Sequence, residues 1–144
     1  MPDTVNQATI FVPMMVVVFL TFVAFIFMSK GRMDAMKAGQ DPNFYKTYSG
    51  AAEPEGTVVK VRHFNNMFEM PTLFYAGCIT AYMLEAVTFW TLLFAWTYVG
   101  LRLVQSTAHL STNNTGVRGI SFSLSVVALL ALWINLAVAV CALL

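Results

Sequence analysis

One long apolar run limits how this chain can fold. It extends over residues 67–101, and only two charged residues, Glu69 and Glu85, interrupt it. An α-helix rises about 1.5 Å per residue, so the run is too long for a single crossing of a hydrocarbon core of about 30 Å. We therefore predict a hairpin of two membrane helices, over 62–84 and 88–110, with Glu85 in a turn that reaches water.

Two further apolar runs flank this hairpin, and we predict membrane helices over 9–29 and 117–142. The residues before the first run lack the Lys or Arg with which a secretion signal begins, so we expect this run to stay as a membrane helix. The chain is 58% hydrophobic and 10% charged, whereas soluble domains have about 25% charged residues. The predicted fold is an all-α integral membrane protein, an up-down four-helix bundle in one domain over 1–144.

Two polar segments join the predicted helices and set their orientation. Residues 30–61 are rich in charge and punctuated by Gly and Pro, which favours a loop, and residues 111–116 have the composition of a turn. All eight Lys and Arg residues lie in these segments or close to them. The positive-inside rule therefore predicts a multi-pass protein with both segments in the cytoplasm and both termini outside. In a bacterium this membrane would be the inner (plasma) membrane.

Several classes of function are not supported by the sequence. There is no basic patch for nucleic acid. Cys78 and Cys141 both lie in apolar segments, which is typical of packing residues and predicts neither a disulfide framework nor a metal site. The sequence also lacks the inverted repeat and the broken mid-membrane helix that are typical of small transporters.

Polar residues recur near the cytoplasmic ends of three predicted helices. In the second helix, Arg62, Asn66 and Glu69 have the spacing i, i+4, i+7, which places them on one helix face. The other two sets are Arg102, Gln105 and His109 in the third helix, and Arg118, Ser121 and Ser125 in the fourth. Ionisable residues at such positions are a site hypothesis by default. Several arginines with one carboxylate suit a small anion that also carries an ammonium group.

Simpler roles are open for the same residues. Arg62 and Arg118 could extend to lipid phosphates as interface anchors. Arg102 and Glu69 could form an internal ion pair that holds the bundle together. His109, which lies near a predicted turn, could pack against its neighbours or face solvent.

The pattern resembles the MAPEG family, the membrane-associated proteins in eicosanoid and glutathione metabolism. The family's second helix carries Arg-x-x-x-Asn-x-x-Glu followed shortly by Pro, and Arg62, Asn66, Glu69 and Pro71 match it here. In motif the chain is similar to microsomal glutathione transferase and prostaglandin E synthase. The matches in the third and fourth helices are Arg102, Gln105, His109 and Arg118.

The resemblance implies a homotrimer of four-helix subunits, with glutathione as co-substrate between neighbouring subunits near the cytoplasmic face. It implies that Arg118 is the catalytic residue beside the thiolate. The residues that we assign to glutathione binding on this basis, together with the neighbouring Ser121, are Arg62, Asn66, Glu69, Arg102, Gln105, His109 and Ser121.

Two positions depart from the family pattern, and they leave two functions open. Gly119 stands where prostaglandin E synthase has a serine, and Phe122 where the family usually has a tyrosine. Neither side chain can donate a hydrogen bond to a thiolate. The first function is a glutathione transferase-like enzyme that conjugates or reduces a lipophilic small molecule, which enters laterally from the membrane lipid. The second is a non-catalytic lipid-binding or scaffold protein on the same fold.

Overall fold

The regular structure is entirely helical in a computed structural model, which describes residues 5–50 and 52–143. A short 3-10 helix, Gln7–Ile10, leads into the first α-helix. The α-helices are α1 (Phe11–Lys37), α2 (Phe44–Thr47), α3 (Glu55–Asn66), α4 (Met70–Met83), α5 (Phe89–Leu110) and α6 (Thr115–Cys141). No strand occurs within the described ranges, which confirms the predicted all-α class.

Capping side chains explain where α5 and α6 begin. Thr88 caps α5, because its hydroxyl accepts from the Thr91 amide at 3.3 Å while the Thr91 hydroxyl accepts from the Thr88 amide at 3.2 Å. Asn114 caps α6, and its side-chain oxygen accepts from the Val117 amide at 3.1 Å. Between α4 and α5, Glu85 adopts a left-handed backbone conformation with φ 51°, which turns the chain. Both helices therefore begin within two residues of the positions expected from sequence.

The helix predicted over 62–84 is not continuous, and this expectation was wrong. α3 ends at Asn66 and α4 begins at Met70, with a break at residues 67–69. Pro71 explains the break, because a proline inside a continuous helix would clash with the carbonyl four residues earlier, whereas the first turn of a helix tolerates it. The carbonyls of the last turn of a helix have no partner within the helix. The Arg102 guanidinium supplies one for α3, because it donates to the Asn66 carbonyl at 2.8 Å.

The predicted loop over 30–61 is also more helical than expected. α1 continues to Lys37, past the predicted end at residue 29, and the segment contains α2 and α3. α3 packs closely against the polar end of α1, where the Thr57 hydroxyl donates to the Gly31 carbonyl at 3.2 Å. A Cβ at Gly31 would lie 2.9 Å from Lys60 Cδ, so glycine allows this approach. The charged residues of 30–61 indicated that this segment faces water, but they did not exclude helical structure within it.

The core lies between α4, α5 and α6, with α1 along one side. α5 and α6 pack against each other along their lengths. The rings of Phe74 and Tyr98 stack with centroids 4.5 Å apart. At Gly77, α4 approaches α6 so closely that a Cβ would lie 2.7 Å from Leu132 Cδ2. The core therefore holds the ends of α3, α5 and α6 near one another.

The outer surface of the described chain is strongly apolar. Two helical segments, Gln7–Lys37 and Thr115–Cys141, are long and apolar enough to cross a membrane. Large hydrophobic side chains on them are exposed, for example Phe19 on α1 and Val138 on α6. Contiguous apolar surface of this kind is unusual for a soluble monomer and suits contact with lipid.

Candidate functional site

A pocket opens between α3, α5 and α6, at the ends that the sequence analysis singled out. It has a volume of about 310 Å³. We call it the α3–α5–α6 pocket, and its lining residues are Asn66, Gln105, Thr115, Arg118, Gly119 and Phe122. Three of the predicted site residues, one from each helix, therefore share one pocket. Both positions that depart from the family pattern, Gly119 and Phe122, lie in the same pocket.

Arg102 lies beneath this pocket and is fully buried, with 0% exposure. Its guanidinium donates to Gln105 Oε1 at 2.7 Å and to the Asn66 carbonyl at 2.8 Å. It also lies over the rings of Tyr98 and Phe122, at 5.7 and 5.6 Å from their centroids. Two of its terminal nitrogens are therefore used to orient the pocket residues, while its Nε has no hydrogen-bond partner among the described residues. The Gln105 oxygen accepts from Arg102, which leaves the Gln105 amide NH2 as a donor for a ligand.

Arg118 is half-buried in the first turn of α6 and lines the pocket. One of its terminal nitrogens donates to Asn113 Oδ1, while its Nε has no hydrogen-bond partner among the described residues. Ser121 is buried, and its hydroxyl donates to the Val117 carbonyl at 2.6 Å within α6. Arg118 is therefore placed to bind an anion, whereas the Ser121 hydroxyl is used inside its own helix.

Arg62 and Glu69 are exposed and do not line the α3–α5–α6 pocket. The break between α3 and α4 separates them, so the common helix face expected for Arg62, Asn66 and Glu69 is not formed. The alternative of an ion pair between Arg102 and Glu69 is not observed either. Among residues 5–50 and 52–143, one ion pair has a nitrogen–oxygen distance within 4.0 Å, and it joins Arg32 to Glu53.

His109 faces a second polar pocket, of about 320 Å³, beyond the last turn of α5. We call it the His109 pocket, and its lining residues are Glu55, Gly56, Val59, Lys60, His109, Leu110, Ser111 and Asn113. The ring of His63 meets that of His109 edge-on, with centroids 4.9 Å apart. Sequence reasoning missed His63, because a single histidine beside Arg62 gives no signal until the packing of α3 on α5 is known.

His63 lies in α3 and is fully buried. Neither of its ring nitrogens has a hydrogen-bond partner among the described residues. A neutral imidazole can donate from one nitrogen and accept at the other.

A third pocket, between α1 and the α3–α4 break, is almost wholly apolar. It has a volume of about 490 Å³. We call it the apolar pocket, and its lining residues are Val18, Thr21, Phe22, Phe25, Phe64, Met67, Phe68, Thr72 and Tyr75. Met67 and Phe68 line it, while the preceding residue, Asn66, lines the α3–α5–α6 pocket. The break thus has a polar pocket on one side and an apolar one on the other.

Comparison with known protein families shows which family the chain belongs to. The family model described as MAPEG family matches residues 10–138, which is most of the chain. The chain belongs to the MAPEG family. No curated protein and no solved structure matches it.

Membership confirms the resemblance carried by the arginine, asparagine and glutamate motif. Together with its two apolar helices, it identifies a membrane protein of the class related to glutathione and eicosanoid metabolism. In this MAPEG chain, Asn66, Gln105 and Arg118 meet in one pocket, which neither their separation in sequence nor the family match establishes alone.

Proposed function

We propose that this MAPEG protein binds glutathione in the α3–α5–α6 pocket and uses it to conjugate or reduce a lipophilic electrophile. The observation that carries the proposal is that Asn66, Gln105 and Arg118 line one pocket with Arg102 bonded beneath it. Amide donors with an arginine suit the carboxylates and the thiolate of glutathione. Family membership supports the choice of glutathione over other small anions.

In this proposal Arg118 is the catalytic residue. A guanidinium beside the sulfur lowers the pKa of the thiol, because it stabilises the charged form. The thiol proton passes to solvent, and the thiolate forms a C–S bond to the electrophilic carbon of the lipophilic molecule. The bond from that carbon to its leaving group breaks, and the leaving group departs with the electron pair. Gln105 and Asn66 orient the peptide, and the apolar pocket across the α3–α4 break holds the second substrate.

We further propose that the protein is a homotrimer of subunits that each cross the membrane four times. Arg62 and Glu69 are exposed in one chain and do not reach its own pocket. In a trimer, these two side chains would face the pocket of a neighbouring subunit. There Arg62 would bind a carboxylate of glutathione and Glu69 would bind its ammonium group.

A non-catalytic lipid-binding or scaffold protein is the second candidate function. It is favoured by the apolar pocket, whose described lining residues are all uncharged. Gly119 and Phe122 favour it as well, because neither side chain in the α3–α5–α6 pocket can donate to a thiolate. On this reading, acyl chains occupy the apolar pocket and no thiol transfer takes place.

Two assays on the purified protein test these functions. Calorimetry measures glutathione binding, and a colorimetric assay measures transfer of the thiol to a generic chloronitrobenzene. We expect saturable glutathione binding with slow transfer. Binding of glutathione without any transfer would support the scaffold function. If glutathione failed to bind at millimolar concentration, the proposal would be overturned.

A further inference from the structure

A short strap follows α1 and is tied back to that helix by one arginine. The strap comprises residues 38–50 and contains α2. The Arg32 guanidinium lies over the ring of Tyr45, 5.2 Å from its centroid, and donates to the Tyr48 hydroxyl at 3.4 Å. The Nε atom of the same guanidinium lies 3.6 Å from a carboxylate oxygen of Glu53. One side chain of α1 therefore holds both the strap and a residue just before α3.

The strap itself has the properties of a segment that opens easily. The ring of Phe44 meets those of Tyr45 and Tyr48 edge-on, with centroids 5.4 and 5.7 Å apart, so these contacts are internal to the strap. Among the described residues, α2 makes no extensive packing contact with another helix. Gly39 and Gly50, near the two ends of the strap, have φ of 102° and 110°, which glycine adopts without steric cost. Segments with few contacts to the core open locally at low free energy.

The contacts of Arg32 with Tyr45 and Glu53, which we call the Arg32 clasp, are incompletely bonded. The Glu53 side chain is only 7% exposed. Arg32 Nε and Glu53 Oε1 are both buried without a hydrogen-bond partner among the described residues. Their separation of 3.6 Å is longer than a hydrogen bond. Because buried polar groups without partners cost free energy, the clasp is held less firmly than a fully bonded ion pair.

The first turn of α3 depends on contacts with α1 for its position. Pro54, the N-cap residue, supplies no side-chain cap, and Gly56 in this turn disfavours helix. The clasp holds Glu53, which lies just before the turn. Beyond it, the Thr57 hydroxyl donates to the Gly31 carbonyl at 3.2 Å. Release of the clasp therefore frees the uncapped side of the turn.

The same turn forms a wall of the His109 pocket. Glu55 and Gly56 line this pocket together with His109 of α5. Gly56 and Ala38, the first residue of the strap, both line a further pocket of about 240 Å³ between α1 and α3. The strap, the first turn of α3 and the His109 pocket are thus contiguous. Movement of the turn away from α1 would widen the opening of the His109 pocket.

We propose that the Arg32 clasp is a latch that sets access from water to the His109 pocket. While the clasp is closed, the strap and the first turn of α3 limit this access. When Arg32 releases Tyr45 and Glu53, the strap moves about Gly39 and Gly50, and the first turn of α3 frays. No covalent bond changes. The inference goes beyond the proposed function, because it holds whichever ligand the pocket takes.

A cysteine introduced at Val59 measures this access, because Val59 is half-buried and lines the His109 pocket. The probe is N-ethylmaleimide, and Cys141 is first replaced by serine. We expect Arg32→Gln and Glu53→Gln each to increase the rate of alkylation of Val59→Cys about fivefold to tenfold. The double variant should match Arg32→Gln alone, because both substitutions break the same contact.

Two controls and a second measurement accompany this assay. Lys30→Gln removes an exposed cation from the same helix and should leave the rate at Val59→Cys unchanged. Met83→Cys, exposed at the far end of α4, should be alkylated equally fast with and without the clasp substitutions. Hydrogen exchange of the strap amides, measured by mass spectrometry, should become faster in Arg32→Gln and Glu53→Gln but not in Lys30→Gln.

The outcomes decide the inference independently of glutathione. Unchanged alkylation and exchange in both clasp variants would overturn it. Faster exchange of the strap with unchanged alkylation of Val59→Cys would also overturn it, because the clasp would then hold the strap without governing the pocket. Glu53 lies outside the membrane helices, so Glu53→Gln keeps the test decisive if Arg32→Gln does not fold. Failure of glutathione to bind would overturn the proposed function and leave this inference standing.

Discussion

At the residue scale, the proposed catalysis depends on Arg118 and Phe122, the two residues that we expect beside the bound thiolate. Both line the α3–α5–α6 pocket, and only Arg118 can donate a hydrogen bond. Loss of a preorganised donor of this kind typically costs roughly a hundredfold or more in rate. We expect Arg118→Ala to remove the conjugating activity, and Phe122→Tyr to increase it or to lower the apparent pKa of the bound thiol.

The pH dependence of conjugation in the parent and the two variants is the measurement. Equal rates for Arg118→Ala and the parent at every pH would show that Arg118 is only an anchor to lipid head groups. The scaffold function would then be preferred.

Two arginines that look alike in sequence are expected to differ in role. Arg102 is buried and bonded to Asn66 and Gln105, whereas Arg62 is exposed. Arg102→Leu leaves the carbonyl of Asn66 and the side-chain oxygen of Gln105 without their donor, which should cost about 1–3 kcal/mol of stability for each group. Arg62→Leu should leave stability unchanged but weaken glutathione binding.

Melting in detergent and calorimetry, applied to both variants, provide the comparison. A lower melting temperature for Arg62→Leu with no change for Arg102→Leu would reverse our assignment of the two arginines.

Sequence alone predicted part of the candidate site. The physical reason why a residue was predicted or missed differs from one residue to the next. The i, i+3 spacing of Arg102 and Gln105 was enough to place them on one face, and the structure shows them bonded at 2.7 Å. Spacing could not show that Arg102 points inward to the end of α3, because that contact joins residues far apart in the chain. His63 was missed for the same reason.

At the scale of elements, the starts of α5 and α6 were predicted from sequence to within two residues, but the break in the second helix was not predicted. The structure shows Thr88 and Asn114 as the caps of these two helices. Pro71 was visible in the sequence, yet the apolar pattern around it predicted one continuous helix. In the structure Arg102 gives the carbonyl of Asn66 a partner at the break, and the local pattern could not show this contact because the two residues lie far apart in the chain.

The contact between α4 and α6 gives a prediction with a matched control. A Cβ at Gly77 would lie 2.7 Å from Leu132 Cδ2, and Leu132 is fully buried. Gly77→Ala should therefore destabilise the protein, typically by about 1–3 kcal/mol, as overpacked core substitutions do. A Cβ at Gly100 would meet no atom within 4 Å among the described residues. Gly100→Ala should be neutral or slightly stabilising, because alanine favours helix.

Thermal unfolding of both glycine variants in the same detergent checks this pair. If the two variants melted at the same temperature, the close approach of α4 to α6 would be contradicted.

At the scale of the whole molecule, the distribution of Lys and Arg predicts a topology. The proposal places residues 30–61 and 111–116 in the cytoplasm. We expect cysteines introduced at Lys46 and Thr112, both exposed, to react with a membrane-impermeant reagent only after the cells are opened. Cys141 is exposed and would first be replaced by serine. Labelling of either introduced cysteine in intact cells would contradict the topology.

The proposed trimer belongs to the same scale, and it would explain why two predicted site residues are exposed in a single chain. Composition and periodicity do not determine a partner subunit, so sequence patterns could assign Arg62 and Glu69 to a site without showing which pocket they serve. In the proposed trimer, the α3–α5–α6 pocket would be the part of a shared site that one chain contributes.

An experimental structure of the protein with glutathione is the most direct test of the central claim. We predict density for glutathione against Asn66, Gln105 and Arg118 of one subunit, with its sulfur beside Arg118 and with Glu69 of a neighbouring subunit at its ammonium group. Density for lipid alone in this pocket, or for glutathione bound elsewhere, would contradict the account.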